Sequence, residues 1–210
     1  MPHSLTALFH DDTLVVVDKP AGLLSVPGRG EHLRDCIAAR VQARWADALI
    51  VHRLDMATSG LMVLGRGAAA QRTLSIAFAE RRVDKRYIAV VHGHVADDSG
   101  EMAWPLICDW PNRPRQIVDM QIGKPSLTRY RVIERRADGT TRVALEPVTG
   151  RSHQLRVHLQ TLGHPILGDE LYAPDAVRAA SPRLLLHAQR LALPHPHDGR
   201  PLAFESPAPF

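Results

Sequence analysis

The stretch HRLDMATSGL at residues 52–61 is a polar turn, preceded by the apolar run ALIV and continued by MVL. This pattern predicts a loop held between two strands. Asp55 would then lie on a loop with fixed ends, where reactive side chains commonly occur because the scaffold sets their geometry. Arg53 would favour the ionised carboxylate or bind a phosphate. The residues alone are also consistent with a plain surface turn, in which Thr58 and Gly60 only supply turn geometry.

The length of 210 residues and the 45% apolar content predict a single domain spanning residues 1–210 and exclude a disordered chain. No apolar run approaches the roughly 20 residues that a membrane-spanning helix needs. Met1–Ser4 lack the basic-then-apolar beginning of a signal peptide. Two cysteines, Cys36 and Cys108, are too few for a disulfide framework or a zinc cluster. We therefore expect reduced thiols and a cytoplasmic protein with no membrane partner.

The formal net charge of +4 and the pI of about 9.5 suit a polyanionic partner without requiring one. Nearly all the cations are arginine, since lysine occurs only at positions 19, 85 and 124. Guanidinium groups bind phosphate with two hydrogen bonds and stack on bases, which favours a nucleic acid. A codon bias of a GC-rich genome would produce the same excess of arginine, so this observation leaves both explanations open.

Hydrophobic periodicity predicts helices at 33–45, 68–82 and 152–162. Short apolar or alternating runs predict strands, at 14–17, 61–64, 86–91, 128–133, 141–145, 184–186 and 191–193. Asp138-Gly139 predicts a hairpin turn between two of these strands. The proline-rich tail is expected on the surface. Hairpins interspersed with helices predict an α+β fold with a mixed, mostly antiparallel central sheet and flanking helices.

Six ordered motifs carry a resemblance to a known family. They are VVDKPAG (16–22), HRLDMATSGL (52–61), KRYIAVV (85–91), GRSHQLRVH (150–158), HPILGD (164–169) and LLLHA (184–188). In this order they resemble the signatures of the RluA-type pseudouridine synthases. The segment DWPNRP at 109–114 is similar to the branch of that family that acts on both ribosomal RNA and tRNA.

The resemblance implies a pseudouridine synthase fold with a catalytic cleft across the sheet. It implies an isomerase that detaches uracil from its ribose, turns it and rejoins it through carbon, with base flipping. The substrates would be uridines in 23S ribosomal RNA, in the tRNA anticodon stem-loop, or in both. The expected enzyme needs no cofactor and no metal, and works as a monomer. The S4 domain that many relatives carry at the N-terminus has no room here, since the first strand is expected at Leu14.

The resemblance also assigns residues to the site. Asp55 would be the catalytic carboxylate, and the sequence does not choose between nucleophile and general base. Arg151, expected at the start of a helix, would form an ion pair that keeps Asp55 ionised and oriented. Tyr87 would stack on the uracil and relay a proton. Surface exposure for the arginine and core packing for the tyrosine are the ordinary alternatives.

Four further residues are expected to contribute to substrate binding. Arg53 would fill the gap that the flipped base leaves. His52 and Thr58 would orient the loop and take no chemical step. Leu185 would pack beneath the tyrosine and the arginine.

A dinucleotide site is the main rival interpretation. The segment GRGAAA at 65–70 satisfies the pattern G-x-G-x-x-A between a predicted strand and a predicted helix. The acid that should end the next strand does not fit, because Asp84 precedes that strand instead.

Two other functions are weaker alternatives. Among the 12 histidines, His92 with His94 and His195 with His197 alternate as metal ligands could, but neither pair has a third ligand at a recognisable spacing. We therefore expect no metal site. A non-catalytic RNA-binding or assembly factor would use the same basic charge, but only the enzyme needs Asp55.

Overall fold

The computed structural model describes residues 5–210, so the N-terminal residues Met1–Ser4, used above to exclude a signal peptide, lie outside the described part. The strands are β1 (Thr6–His10), β2 (Leu14–Lys19), β3 (Ala48–Ile50), β4 (Ser59–Arg66), β5 (Asp84–His92), β6 (Ser99–Met102), β7 (Leu106–Cys108), β8 (Gln116–Val118), β9 (Thr128–Arg135), β10 (Thr140–Pro147), β11 (Leu186–Pro194) and β12 (Pro201–Glu205). The helices are α1 (Ile37–Gln42), α2 (Gly67–Ala79), α3 (Gln154–Thr161) and α4 (Asp175–Ala179). The predicted α+β class is confirmed.

The chain divides into two compact units. The first comprises the described residues up to Lys85 together with Ala188–Pro209, and the second comprises Arg86–His187 with Phe210. The expectation of a single catalytic domain stays a prediction.

The first unit is built on strands in the order β1-β2-β4-β11, with β3 paired to β4 and β12 paired to β11. Strand β2 (LVVVDK) is rich in β-branched residues, and Leu14–Val17 are fully buried, as expected for a central strand. Helix α2 packs its buried Leu74 and Ala77 against the side chains of β2 and β4. Every pair with a defined register in this unit is antiparallel.

The second unit holds strands in the order β5-β10-β9-β6 and a separate small pair, β7-β8. These strands are also antiparallel. Strand β9 alternates buried Thr128 and Tyr130 with exposed Arg129 and Arg131, which places one face on the core. The hairpin predicted at Asp138-Gly139 joins β9 to β10. The expected mostly antiparallel sheet is thereby confirmed.

Some of the predicted elements have other bounds in the structure, and one strand was not predicted. Helix α1 begins at Ile37, because Cys36 is extended and forms a bridge with Leu24. The runs at 184–186 and 191–193, which the sequence predicted as two late strands or as a strand and a bulge, correspond to a single strand, β11 (Leu186–Pro194). The proline-rich tail contains β12, which pairs with β11 over Pro201–Glu205. In residues 5–210, no helix is long and apolar enough to span a membrane.

Candidate active site

The loop between β3 and β4 carries Asp55, and the residue before it is held by a side chain. The Ser25 hydroxyl accepts a hydrogen bond from the Leu54 amide at 3.0 Å and donates one to the Leu54 carbonyl at 2.6 Å. Ser25 is buried, so water competes little for these bonds. The backbone entering Asp55 is therefore fixed in position.

The residue after Asp55 is held by Lys19. This lysine is fully buried, and its ammonium donates to the carbonyls of Pro20 at 2.9 Å, Leu23 at 2.7 Å and Met56 at 3.0 Å. The Met56 carbonyl also accepts from the Gly22 amide at 2.9 Å. A buried charge requires such partners because desolvation is costly. Lys19 belongs to the VVDKPAG motif, but its sequence context did not predict this role.

His52 links the loop to strand β4. Its Nε2 accepts a hydrogen bond from the Val63 amide at 3.1 Å, and its ring stacks on Phe78 at a centroid distance of 4.5 Å. Burial, with a contribution from the charge of Lys85, lowers the pKa of His52 from 6.5 to about 3. The ring is therefore neutral near pH 7, with its proton on Nδ1. A neutral acceptor suits a residue that orients the loop.

Thr58 and Gly60 close the loop. Thr58 is buried, and its amide donates to the Asp55 carbonyl at 3.1 Å. Gly60 has a φ of 113°, and a Cβ there would lie 2.4 Å from the Ala188 carbonyl oxygen. Only glycine fits this approach of two strands.

The side chains around Asp55 differ in exposure. Asp55 is half-buried, whereas its neighbours Arg53 and Met56 are exposed. The loop therefore combines a fixed backbone with the exposed side chains of Arg53 and Met56, which a substrate can reach.

Tyr87 and Leu185 lie in the second unit. Tyr87 is half-buried on β5, opposite Leu145 of β10. The Leu185 amide donates to the Leu167 carbonyl at 3.0 Å, and its carbonyl accepts from the Val90 amide at 3.1 Å. Its side chain packs on the cluster that contains Val90 and Leu167.

Arg151 was predicted to start a helix, and this prediction is wrong. Helix α3 begins at Gln154, because His153 has a left-handed φ of 53° and forms its N-cap. The exposed Arg151 precedes this turn. Its amide donates to Gln154 Oε1 at 3.0 Å, and its Nε donates to the Pro125 carbonyl at 3.2 Å.

The sequence did not predict a polar network that involves Arg156 of α3 and the preceding His153. Arg156 binds Asp169 through Nε at 2.8 Å and Nη2 at 2.7 Å, and both side chains are buried. The Tyr172 hydroxyl lies 2.7 Å from His153 Nδ1 and accepts from the Gln116 amide at 2.8 Å. The motifs GRSHQLRVH and HPILGD contain most of these residues, but spacing alone did not show which of them meet.

The expected site residues are thus distributed over both units. The first unit contains Asp55, His52, Arg53 and Thr58 on a single loop. The second unit contains Tyr87, Arg151 and Leu185. Their joint action on one substrate stays a prediction.

The histidine pairs have partners within the fold. His195 is buried, with Nε2 2.8 Å from Asp11 Oδ2 and Nδ1 3.0 Å from Asp198. Although burial would raise it, hydrogen bonds led by that from His195 lower the pKa of Asp11 to about 2. His94 Nε2 lies 2.9 Å from the Arg136 carbonyl. Within residues 5–210, no group of three or more His, Cys, Asp or Glu residues is arranged to hold a metal.

The two glycines of the G-x-G-x-x-A segment have structural roles, one in packing and one in backbone conformation. A Cβ at Gly65 would lie 2.6 Å from the backbone of Gln71 in α2, so the strand and helix approach closely there. Gly67 has a φ of 74° and begins α2. These requirements account for the pattern without a dinucleotide.

The chain is similar to known proteins of the family that its motifs resemble. The family model for RNA pseudouridylate synthase matches residues 13–161. The chain is 53% identical over 206 residues to the dual-specificity RNA pseudouridine synthase RluA of Escherichia coli strain K12, covering 98% of this chain and 94% of that protein. It is 52% identical to the protein of the same name from Yersinia pestis, covering 98% of this chain and 100% of that one.

Solved structures extend the likeness to the fold. Human RNA pseudouridylate synthase domain containing 1 has a TM-score of 0.82 and 30% identity, covering 98% of this chain and 84% of that chain. Human RNA pseudouridylate synthase domain containing 4 has a TM-score of 0.77 and 25% identity, covering 97% of this chain and 88% of that chain.

Proposed function

Because this chain belongs to the RNA pseudouridylate synthase family, we propose that it converts specific uridines to pseudouridine through the carboxylate of Asp55. The chain is an RNA pseudouridine synthase and hence an isomerase. We propose that its substrates are uridines in 23S ribosomal RNA, in the tRNA anticodon stem-loop, or in both. The similarity to dual-specificity relatives supports more than one RNA substrate.

The reaction needs no external reactant. The bond between uracil N1 and ribose C1′ breaks, the base turns, and a bond forms between C5 and C1′. The proton on C5 leaves and N1 gains one, so atoms and electrons balance within the nucleotide and solvent. A single carboxylate suffices as nucleophile or general base.

The observation that carries the assignment is the fixation of the Asp55 backbone from both sides. Ser25 forms two hydrogen bonds with the backbone of Leu54, and Lys19 and the Gly22 amide each form one with the Met56 carbonyl. These four bonds are 2.6–3.0 Å long. A reacting group needs such preorganisation, because small misplacements reduce rate strongly. A plain surface turn has no need of a fully buried lysine.

The other residues have supporting roles in this proposal. Arg151 pairs with the Asp55 carboxylate in the reacting complex and keeps it ionised. Tyr87 stacks on the uracil and relays a proton. Arg53, which is exposed, takes the space of the flipped base. Leu185 supports the site through packing.

We propose further that both units act as one catalytic domain, that the protein works as a monomer, and that it acts in the cytoplasm. The free thiols of Cys36 and Cys108 are compatible with a reducing compartment. The net charge of +4 supports a polyanionic substrate.

The test is Asp55→Asn in a tritium-release assay with RNA labelled at uridine C5. The substitution keeps the size of the side chain and removes its charge, so we expect release to fall at least about a thousandfold with RNA affinity nearly unchanged. Asp12→Asn is the matched control, since Asp12 is fully exposed in the same unit. Activity of Asp55→Asn within tenfold of wild type would contradict the assignment of Asp55, whereas RNA binding without tritium release by the wild type itself would favour a non-catalytic RNA-binding role.

A further inference from the structure

The segment 104–124, called the arm below, concentrates exposed apolar side chains in the second unit. It contains β7, a short 3-10 turn at Trp110–Asn112, and β8. Four large apolar side chains of the arm are exposed, namely Trp110 (65%), Ile117 (43%), Met120 (74%) and Ile122 (69%). Large apolar groups grouped in this way indicate a binding surface.

The accessible charge of the arm is positive. The guanidinium of Arg113 lies over the Trp110 ring, 4.6 Å from its centroid. Arg115 and Lys124 are also exposed. This surface combines a planar cation, an indole ring and further cations.

The two acidic residues of the arm accept hydrogen bonds from other residues of the arm. Asp109 accepts a hydrogen bond from Asn112 Nδ2 at 3.0 Å. Asp119 accepts from the amides of Gln121 at 2.8 Å and Ile122 at 3.0 Å. The three cations of the arm exceed its two carboxylates by one charge, so its net charge is positive.

The arm is connected to the segment that carries Arg151. Arg151 Nε donates to the carbonyl of Pro125, the residue that follows the arm. The Gln116 amide donates to the Tyr172 hydroxyl, which lies 2.7 Å from His153 Nδ1. The Arg115 guanidinium lies 5.6 Å from the centre of the Tyr172 ring. The arm is thus hydrogen-bonded to the part of the chain that precedes and begins α3, which carries the proposed catalytic arginine.

We propose that the arm is an RNA-binding surface, with the Trp110–Arg113 stack receiving an unpaired base of the substrate loop and Arg115 and Lys124 binding its phosphates. This inference rests on the proposed function and adds a binding site to it. Unpaired bases stack on aromatic rings and guanidinium planes, and the adjoining phosphates require cations. A purely apolar protein partner would not require the cations that lie beside the Trp110 ring.

The test measures binding and chemistry separately on Trp110→Ala, Trp110→Phe and Arg113→Ala. The probe is a synthetic RNA hairpin of anticodon-arm size, and its Kd is measured by fluorescence anisotropy. We expect the Kd of Trp110→Ala to rise about tenfold, and Trp110→Phe to stay close to wild type because it keeps a stacking ring. The single-turnover rate at saturating RNA should stay within about twofold of wild type, since the arm touches no reacting atom.

Matched controls come from the same unit. Ile133 on β9 is 48% exposed and Arg178 on α4 is 52% exposed, and both lie outside the arm. Ile133→Ala and Arg178→Ala should leave the Kd unchanged. Circular dichroism of each variant should match wild type, because Trp110 is mostly exposed.

Three outcomes would overturn the proposal. The first is an unchanged Kd for both Trp110→Ala and Arg113→Ala. The second is an equal rise in Kd for the control variants. The third is a concentration-dependent dimer in sedimentation that Trp110→Ala dissociates, which would make the arm a self-association surface. If wild type binds the hairpin but forms no pseudouridine in any RNA, the proposed function fails while the Kd values still decide the arm.

Discussion

The carboxylate of Asp55 lies on a backbone whose restraints come from other parts of the chain. Ser25 bonds to the backbone of Leu54, and Lys19 bonds to the backbone of Met56. Neither restraint uses the Asp55 side chain, so a substitution at Asp55 should leave the loop in place. Loss of activity in such a variant therefore reports on chemistry and not on folding.

Tyr87→Phe should bind substrate normally and slow the chemical step. The ring is retained, so stacking on the base continues, but phenylalanine has no hydroxyl to relay a proton. We expect the single-turnover rate at saturating RNA to fall by about a hundredfold or more. Rapid-quench measurement of pseudouridine formation checks this. A rate near that of wild type would reduce Tyr87 to a packing residue on β5.

Arg151→Ala should lose activity strongly without a matching loss of RNA affinity. Removing the proposed ion-pair partner leaves the Asp55 carboxylate without its counter-charge and less well oriented, so the single-turnover rate should fall. Arg151→Lys is the informative companion, since it keeps the charge but not the two-pronged geometry. If RNA affinity and its salt dependence fall while single-turnover chemistry is normal, Arg151 is only a phosphate contact.

Among the elements, the loop between β3 and β4 contains His52, a titratable residue that makes the stability of the fold depend on pH. The pKa of His52 is lowered from 6.5 to about 3, chiefly by burial. The unfolded chain therefore takes up a proton near pH 6.5, whereas the folded chain does not. The contribution of His52 to stability is present above pH 6.5 and is lost as the pH falls from 6.5 towards 3, with a slope of roughly 1.4 kcal/mol per pH unit.

The His52→Gln variant tests this coupling. Its amide oxygen can still accept from the Val63 amide, but it does not titrate. Urea unfolding at several pH values between 6.5 and 4 should give a shallower fall of the free energy of unfolding than in wild type. The difference between the two curves isolates His52 from His158, whose pKa is also lowered by burial. Parallel curves would show that folding does not lower the pKa of His52.

For the whole molecule, we expect the chain to act alone on a short RNA hairpin. The modest charge of +4 allows only a limited number of phosphate contacts, so recognition should rest on loop shape and flipped bases. A hairpin of anticodon-arm size should be a full substrate in buffer containing excess EDTA. Activity should fall steeply and smoothly with added salt, because binding releases counterions.

The measurement uses purified protein, a synthetic hairpin with labelled uridine and a series of potassium chloride concentrations. Turnover that requires assembled ribosomal subunits, an added metal or a second protein would contradict a self-sufficient enzyme. Activity independent of salt would contradict a substrate held through its phosphates.

Local patterns predicted some elements well and others poorly. The β9–β10 hairpin was predictable because its strands alternate in polarity and Asp138-Gly139 favours the turn. Helix α1 was predicted too long, since the sequence does not show that Cys36 bridges to Leu24. Strand β12 was missed because it begins with Pro201 in a proline-rich tail, which opposes a strand, and pairing with β11 overrides that preference.

The sequence by itself determined the family, because ordered motifs are local properties of the chain, and the same motifs predicted Asp55 as the reacting carboxylate. Tertiary structure decided what holds that carboxylate. The bonds from Ser25 to Leu54 and from Lys19 to Met56 join residues 29 and 37 positions apart. It also placed Arg151 ahead of α3, where the left-handed turn at His153 interrupts the helical pattern. Such contacts depend on chain reversal and burial, which no local pattern specifies.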